Sequence, residues 1–297
     1  MAGSENRGAN MSGDAGRTGA DAGTASAEAR SASLSPSARS ESDELRGLAG
    51  APEAAGERIE KVQDQLSAPG TSSRAKYATL VVGRPGLGAL LKYELVISLA
   101  QSRAGALGLV LRKMLYPALL GSCGRNVVFG QNVVLRHPHK IHIGSDVVID
   151  DNCLIDAKGE SNRGVRIGNG VFIGRNTILS CKNGDIELAD GANIGFNCEV
   201  FSASRVTIGR SVLMAAYCYV IGGGHDFSDP SKPVLEQTRT SVGVTICDGV
   251  WMGAGAKILD GVAIGDGAVI GAGAVVRENV PVSAIAVGIP ARVVSTR

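Results

Sequence analysis

The stretch VWMGAGAKILDGVAIGDGAVIGAGAVV, Val250 to Val276, repeats a pattern every six residues. Met252, Ile258, Ile264, Ile270 and Val276 recur at that spacing, and glycine follows Met252, Ile264 and Ile270. Extended outward, the register runs from Cys123 to Pro281, and 17 of its 21 first positions are Ile, Leu or Val. A short fixed period held over that length marks a solenoid.

The insertions define the coil. Extra residues enter only after every third hexad, at 141–142, 161–166, 185–187, 206–207 and 226–245. Three hexads therefore make one turn, and the fold expected is all-β: about seven coils of three short parallel strands, with surplus chain leaving from one corner. At a strand spacing of about 4.8 Å such a prism is roughly 33 Å tall. Its narrow interior admits one large aliphatic per side. The fifth place of each hexad also points inward and is small, reading Val133, Cys153, Thr177, Cys198, Cys218, Ala256 and Ala274 down the second face. Cys153, Cys198 and Cys218 are thereby core fillers, and none of the six cysteines has CxxC or CxH zinc spacing.

Glycine after the aliphatic, as at Gly168, Gly174, Gly209, Gly265 and Gly271, is expected to ease the turn. The third face has Arg136, Asp156, Ser180, Phe201, Ile221, Leu259 and Arg277 at those places instead. Loops and function are therefore expected at the third corner.

Composition divides the rest. Residues 1–75 hold only eight large apolar residues, too few to offset chain entropy, so a disordered leader is expected, with a short helix over 53–66 as its one ordered stretch. Residues 76–122 read as two short helices, broken near Ser102–Gly105 and ended by Pro117. They either cap the open end of the repeat or, through 90–116, make a peripheral membrane contact, with Leu107, Leu109, Val110, Leu111 and Leu115 apolar and Arg103, Arg112 and Lys113 basic. The repeat domain fills 123–297. A net charge of +2 with few aromatics argues against nucleic acid. The chain has no signal-like apolar region and no run of about 18 uncharged apolar residues, so a cytoplasmic protein is expected.

The repeat opens widest at GGGHDFSDPSKP, Gly222 to Pro233. His225 closes the third hexad of the fifth coil, and the 20-residue insertion 226–245 follows it. An imidazole, largely neutral near pH 7, suits a group that takes a proton and passes it on. Asp226, Asp229 or a backbone carbonyl would orient the ring. His137, His139 and His142 invite a metal reading, but they belong to the lowest coils, far from His225, and no metal is expected.

With these motifs, and with the closing VGIPARVV of Val287–Val294, the chain resembles the hexapeptide-repeat acyltransferases over about residues 123–293, most closely the maltose, galactoside and colanic acid O-acetyltransferase branch. The resemblance implies a left-handed parallel β-helix, a homotrimer, and transfer of an acetyl group from acetyl-CoA to a hydroxyl of a sugar or cell-surface glycan precursor. It assigns His225 as general base and Asn197 as an acceptor contact; Asp226, which follows His225, is expected as a second acceptor contact. Asn197 and His225 fall near different corners, so neighbouring subunits would have to share an acceptor. Trp251 matches an aromatic of the pantetheine channel. Gly253 and Ala254 match the backbone facing the thioester carbonyl, Ala272 and Gly273 match contacts to the pantetheine arm, and Arg277 and Arg292 match basic residues near the CoA phosphates. The helices with which the maltose and galactoside enzymes contact acceptors have no clear counterpart in 76–122, which favours a sugar unit of a larger glycan. Two competing readings are a zinc lyase of the carbonic anhydrase type, which shares the repeat, and a non-enzymatic scaffold.

Overall fold

A computed structural model describes residues 72–297. The expected leader, except its last four residues, and the helix over 53–66 lie outside the described residues. Among the described residues, short strands form three sheets of seven, nine and seven. The first face runs from Ser122–Cys123 to Ala263–Ile264, the second from Val128–Phe129 to Ala291–Thr296, and the third from Val134–Arg136 to Val275–Val276. Every pairing between coils is parallel and keeps the hexad register, as in Leu188↔Ile208, Ile194↔Met214 and Val200↔Val220.

All of the hexad first positions except Cys123 are buried, as are all seven fifth positions on the second face. The coils do not stop at seven. Val280 bridges Ile264, Ala284–Gly288 pairs with the second-face strand Val269–Ile270, and an antiparallel hairpin with Ala291–Thr296 closes that edge.

Two expectations about small residues change. Gly168, Gly174, Gly209, Gly265 and Gly271 are not left-handed. They are required because the next coil passes directly over them: a Cβ at Gly174 would stand 2.7 Å from the Gly195 carbonyl carbon, and one at Gly209 would stand 2.6 Å from that of Cys247. Left-handed residues form other columns, one of which is Asn132, Asn152, Asn176, Asn197, Tyr217, Gly255 and Gly273 at the corner between the second and third faces. The fifth-position cysteines also do more than fill space. Cys153, Cys198 and Cys218 aim Sγ at the carbonyls of Gly174, Ala215 and Gly253, at 3.2, 3.2 and 3.3 Å, and Thr177 Oγ1 donates to Gly195 O at 2.9 Å. In these four coils one side-chain donor thus caps a corner carbonyl of the coil above it.

The N-terminal segment begins with helix α1 (Ser73–Tyr77), whose first three residues fall in the expected leader, and continues as a π-turn over Ala78–Val82. Helices α2 (Leu87–Ala100) and α3 (Gly105–Leu115) follow, broken and ended where the sequence indicates. They cover the first coil. The Tyr93 and Tyr116 hydroxyls, both on buried rings, donate to Leu135 O and Val133 O at 2.9 Å. Arg112, one of the basic residues of the membrane-contact reading, is only 3% exposed. Its guanidinium donates to Phe129 O, Ala100 O and Arg103 O, tying α2, α3 and the first coil together. A row of leucines on the other side of α2, Leu87, Leu91, Leu95 and Leu99, stays exposed, as do Leu107, Val110 and Met114 of α3. No described helix is long and apolar enough to cross a membrane.

Candidate active site

The third-face strand Tyr219–Gly222 delivers the chain to the insertion corner, where it leaves the solenoid and returns at the first-face strand Val244–Ile246. The excursion is held like a ribbon, with Gly224 N donating to Thr240 O and Asp226 N to Thr238 O, each at 2.9 Å. Buried Gln237 fastens its tip: Nε2 donates to Asp229 O and Lys232 O at 2.8 and 3.0 Å, and Oε1 accepts from Asp229 N at 3.0 Å. Nothing in the hexad pattern marks Gln237, because its role depends on how the loop folds back.

His225 is exposed on this ribbon and lines a cavity of about 70 Å³ together with Lys182, Phe201, Ala203, Gly223, Gly224 and Arg239. Lys182 Nζ lies 5.3 Å from the centre of the Phe201 ring, and burial lowers its pKa. The loop carboxylates turn elsewhere. Asp226 Oδ1 accepts from Ser228 N at 2.9 Å, which lowers its pKa, and Asp229 accepts from Ser231 and pairs with Lys232 at 3.1 Å. Neither orients His225 as the sequence reading allowed.

The remaining residues gather elsewhere. Asn197, Gly253, Ala254, Ala272 and Gly273 stack at the corner between the second and third faces, and Asn197 and Gly273 take left-handed φ of 54° and 69° there. The N–H groups of Gly253 and Gly273 are spent within the ladder, on Ile270 O and Ala254 O. Those of Ala254 and Ala272 have no acceptor among the described residues, so these two N–H groups remain available to a bound carbonyl. Trp251 stands 50% exposed on the second face, between Leu213 and Val269. Arg277 and Arg292 converge on one carboxylate, Glu278 Oε1, at 3.5 and 3.2 Å.

The corner holding Asn197 and the one holding His225 lie off opposite ends of the third face, separated by at least a four-residue strand, about 13 Å. One chain therefore does not bring them together. The histidines of the low coils are separately engaged: His137 Nε2 donates to Thr79 O at 2.8 Å, and His142 Nδ1 lies 3.0 Å from Ser122 Oγ. Burial lowers the pKa of all three, that of His139 to about 4.

A three-sided parallel solenoid built on a six-residue repeat, with a histidine-bearing loop at one corner, defines the class of hexapeptide-repeat proteins. Residues 243–278 match the family described as bacterial transferase hexapeptide (six repeats). The chain is 34% identical over 163 residues to a Mycobacterium tuberculosis protein named as an acetyltransferase, covering 55% of this chain and 54% of that one. It is 30% identical over 149 residues to WbbJ of Escherichia coli, named as a lipopolysaccharide biosynthesis O-acetyl transferase, covering 48% of this chain and 74% of WbbJ. A solved N-acyltransferase from Bacillus cereus, in complex with dTDP and coenzyme A, shares 26% identity at a TM-score of 0.45, over 66% of this chain and 91% of its own. This chain belongs to the bacterial hexapeptide-repeat transferase family. It spans about half the length of its mycobacterial relative.

Proposed function

We propose that the protein is an O-acetyltransferase that moves the acetyl group of acetyl-CoA to a hydroxyl of a sugar or glycan precursor, with His225 as general base. One observation carries this reading: in a chain of this transferase family, His225 stands exposed at the mouth of a cavity on the insertion corner, with no other group of the described residues bonded to its ring. The imidazole takes the acceptor O–H proton as that oxygen attacks the thioester carbonyl. The carbonyl carbon becomes tetrahedral, and its oxygen carries the negative charge. Collapse re-forms the carbonyl, breaks the C–S bond, and returns the proton from imidazolium to the CoA sulfur. The N–H groups of Ala254 and Ala272 are the donors this chain offers to the oxyanion and to the pantetheine amides. Trp251 would flank that arm, Arg277 and Arg292 would meet the CoA phosphates, and Asn197 and Asp226 would touch the acceptor.

Because His225 and the Ala254 corner occupy different corners of one chain, the site is completed between subunits, and the working form is a homotrimer. A second observation favours a peripheral membrane contact: Leu87, Leu91, Leu95 and Leu99 of α2 and Leu107, Val110 and Met114 of α3 are all exposed. Equal supernatant protein with and without anionic vesicles would discard that contact.

Free-thiol release from acetyl-CoA in the presence of a glycan-precursor mixture tests the chemistry. His225→Ala is expected to lose most of the turnover, about 100-fold or more, while keeping its affinity for acetyl-CoA. Undiminished turnover would end the assignment.

A further inference from the structure

Below His225 the insertion corner opens into a cavity of about 620 Å³, walled by the Arg74–Leu90 segment on one side and by the corner loops of the first three coils on the other. Arg74, Arg84, Lys140, Lys158 and Lys182 line it, with Glu160 as the one carboxylate among the lining residues. Lys182 also lines the His225 cavity, so the two spaces share a wall.

These cations are not ordinary members of surface ion pairs. Arg74, Arg84 and Lys158 have no ion pair or side-chain hydrogen bond among the described residues. Lys140 Nζ is spent on neutral acceptors, at 2.6 Å from Gly159 O and 2.9 Å from Asn162 Oδ1, which stiffens the wall; Asp185 and Glu160 offset part of its charge through space without bonding it. Buried Asp156 pairs with Arg136 at 3.8 Å and also feels Lys158 and Lys182, so it offsets only part of the charge. His137 in the wall is only 6% exposed, and its Nδ1 has no hydrogen-bond partner. Desolvation works against the charges of Lys140 and Lys182, a cost that a bound polyanion offsets. Leu87 and Leu90 line the same cavity, and Leu87 begins the exposed leucine row of α2.

We propose that this cavity binds the phosphate or diphosphate of a phosphorylated glycan acceptor, lined up so that a sugar further along the same molecule reaches His225. The proposal rests on the acetyltransferase reading and names the acceptor class for it. Lys182, Lys158 and Lys140 step down the corner from the His225 coil at about 4.8 Å per coil, so the anion sits roughly 10–19 Å below the histidine. The acetylated hydroxyl therefore belongs to a sugar separated from the phosphate by a short oligosaccharide. A lipid-borne diphosphate and a soluble one share this chemistry, and the leucines beside the cavity would distinguish them.

The test titrates full-length protein and its Arg84→Ala/Lys158→Ala variant with four probes: inorganic pyrophosphate, farnesyl diphosphate in neutral micelles, farnesol in the same micelles, and acetyl-CoA. Both diphosphates are expected to bind the wild type and to weaken at least about tenfold in the variant, with acetyl-CoA affinity unchanged. Farnesyl diphosphate binding well above pyrophosphate, with farnesol silent, assigns a lipid-borne acceptor; equal affinities assign a soluble one. The proposal is overturned if neither diphosphate binds, or if binding is indifferent to the substitutions. It is overturned equally if acetyl-CoA weakens alongside them, since the cavity would then serve the cofactor's own phosphates. Diphosphate binding without any acetyl-CoA binding would instead remove the acetyltransferase reading on which the proposal rests.

Discussion

Thr177 and the three cysteines that share its column show how a single side-chain atom serves this fold. The corner carbonyl it caps, Gly195 O, is partly buried in the stack, and the hydroxyl reaches it at 2.9 Å. Thr177→Val keeps the shape and removes the donor, so the carbonyl loses a partner at a cost of about 1–3 kcal/mol, read as a lower urea midpoint. Thr177→Cys, which copies the neighbouring coils, is expected to recover most of that loss. The hexad rule predicts that the fifth position is small and inward, and it is. The capping by Cys153, Thr177, Cys198 and Cys218 was not legible, because Val133, Ala256 and Ala274 fill the same column with no donor. The glycines carry a similar lesson: their spacing is evident in the sequence, but the reason for them is a neighbouring coil well removed along the chain, which a local turn argument does not see.

At the scale of elements, the N-terminal helices and the insertion loop are where sequence reading reached least far. The break near Ser102–Gly105 and the stop at Pro117 were legible from glycine and proline. The burial of Arg112 was not, since its partners are three carbonyls contributed by three different segments. The docked helices also bury histidines against the first coil. The folded pKa of His139, about 4, lies below the usual imidazole value. The unfolded chain therefore binds this proton first, and the stabilisation present above about pH 6.5 is lost as the pH falls towards 4. The melting temperature is expected to drop over that interval, and His139→Gln is expected to flatten the dependence. A variant with the wild-type slope would show that the acid sensitivity lies elsewhere. In the loop, Gln237 makes three bonds that no motif announces, whereas His225 was legible because it interrupts a register that holds on both sides of it.

For the whole molecule, the repeat gave the coil, the three faces and the corner from which loops leave, because a narrow prism tolerates so few side chains at each inward place. The division of labour between corners follows from the same geometry. Asn197, Ala254 and Ala272 line up at one end of the third face and His225 leaves from the other, so under the proposed function a monomer would hold two half-sites. Light scattering on the purified chain is expected to give three times the monomer mass, and a monomer that turns over substrate would contradict a shared site.

The central claim is that these half-sites serve acetyl-CoA, and calorimetric titration of the purified protein with acetyl-CoA tests it without knowledge of the acceptor. Arg277 and Arg292 already converge on Glu278, and both guanidinium groups are exposed to a phosphate. The prediction is saturable binding that weakens about tenfold in Arg277→Ala and in Arg292→Ala. No detectable binding at about millimolar acetyl-CoA would contradict it.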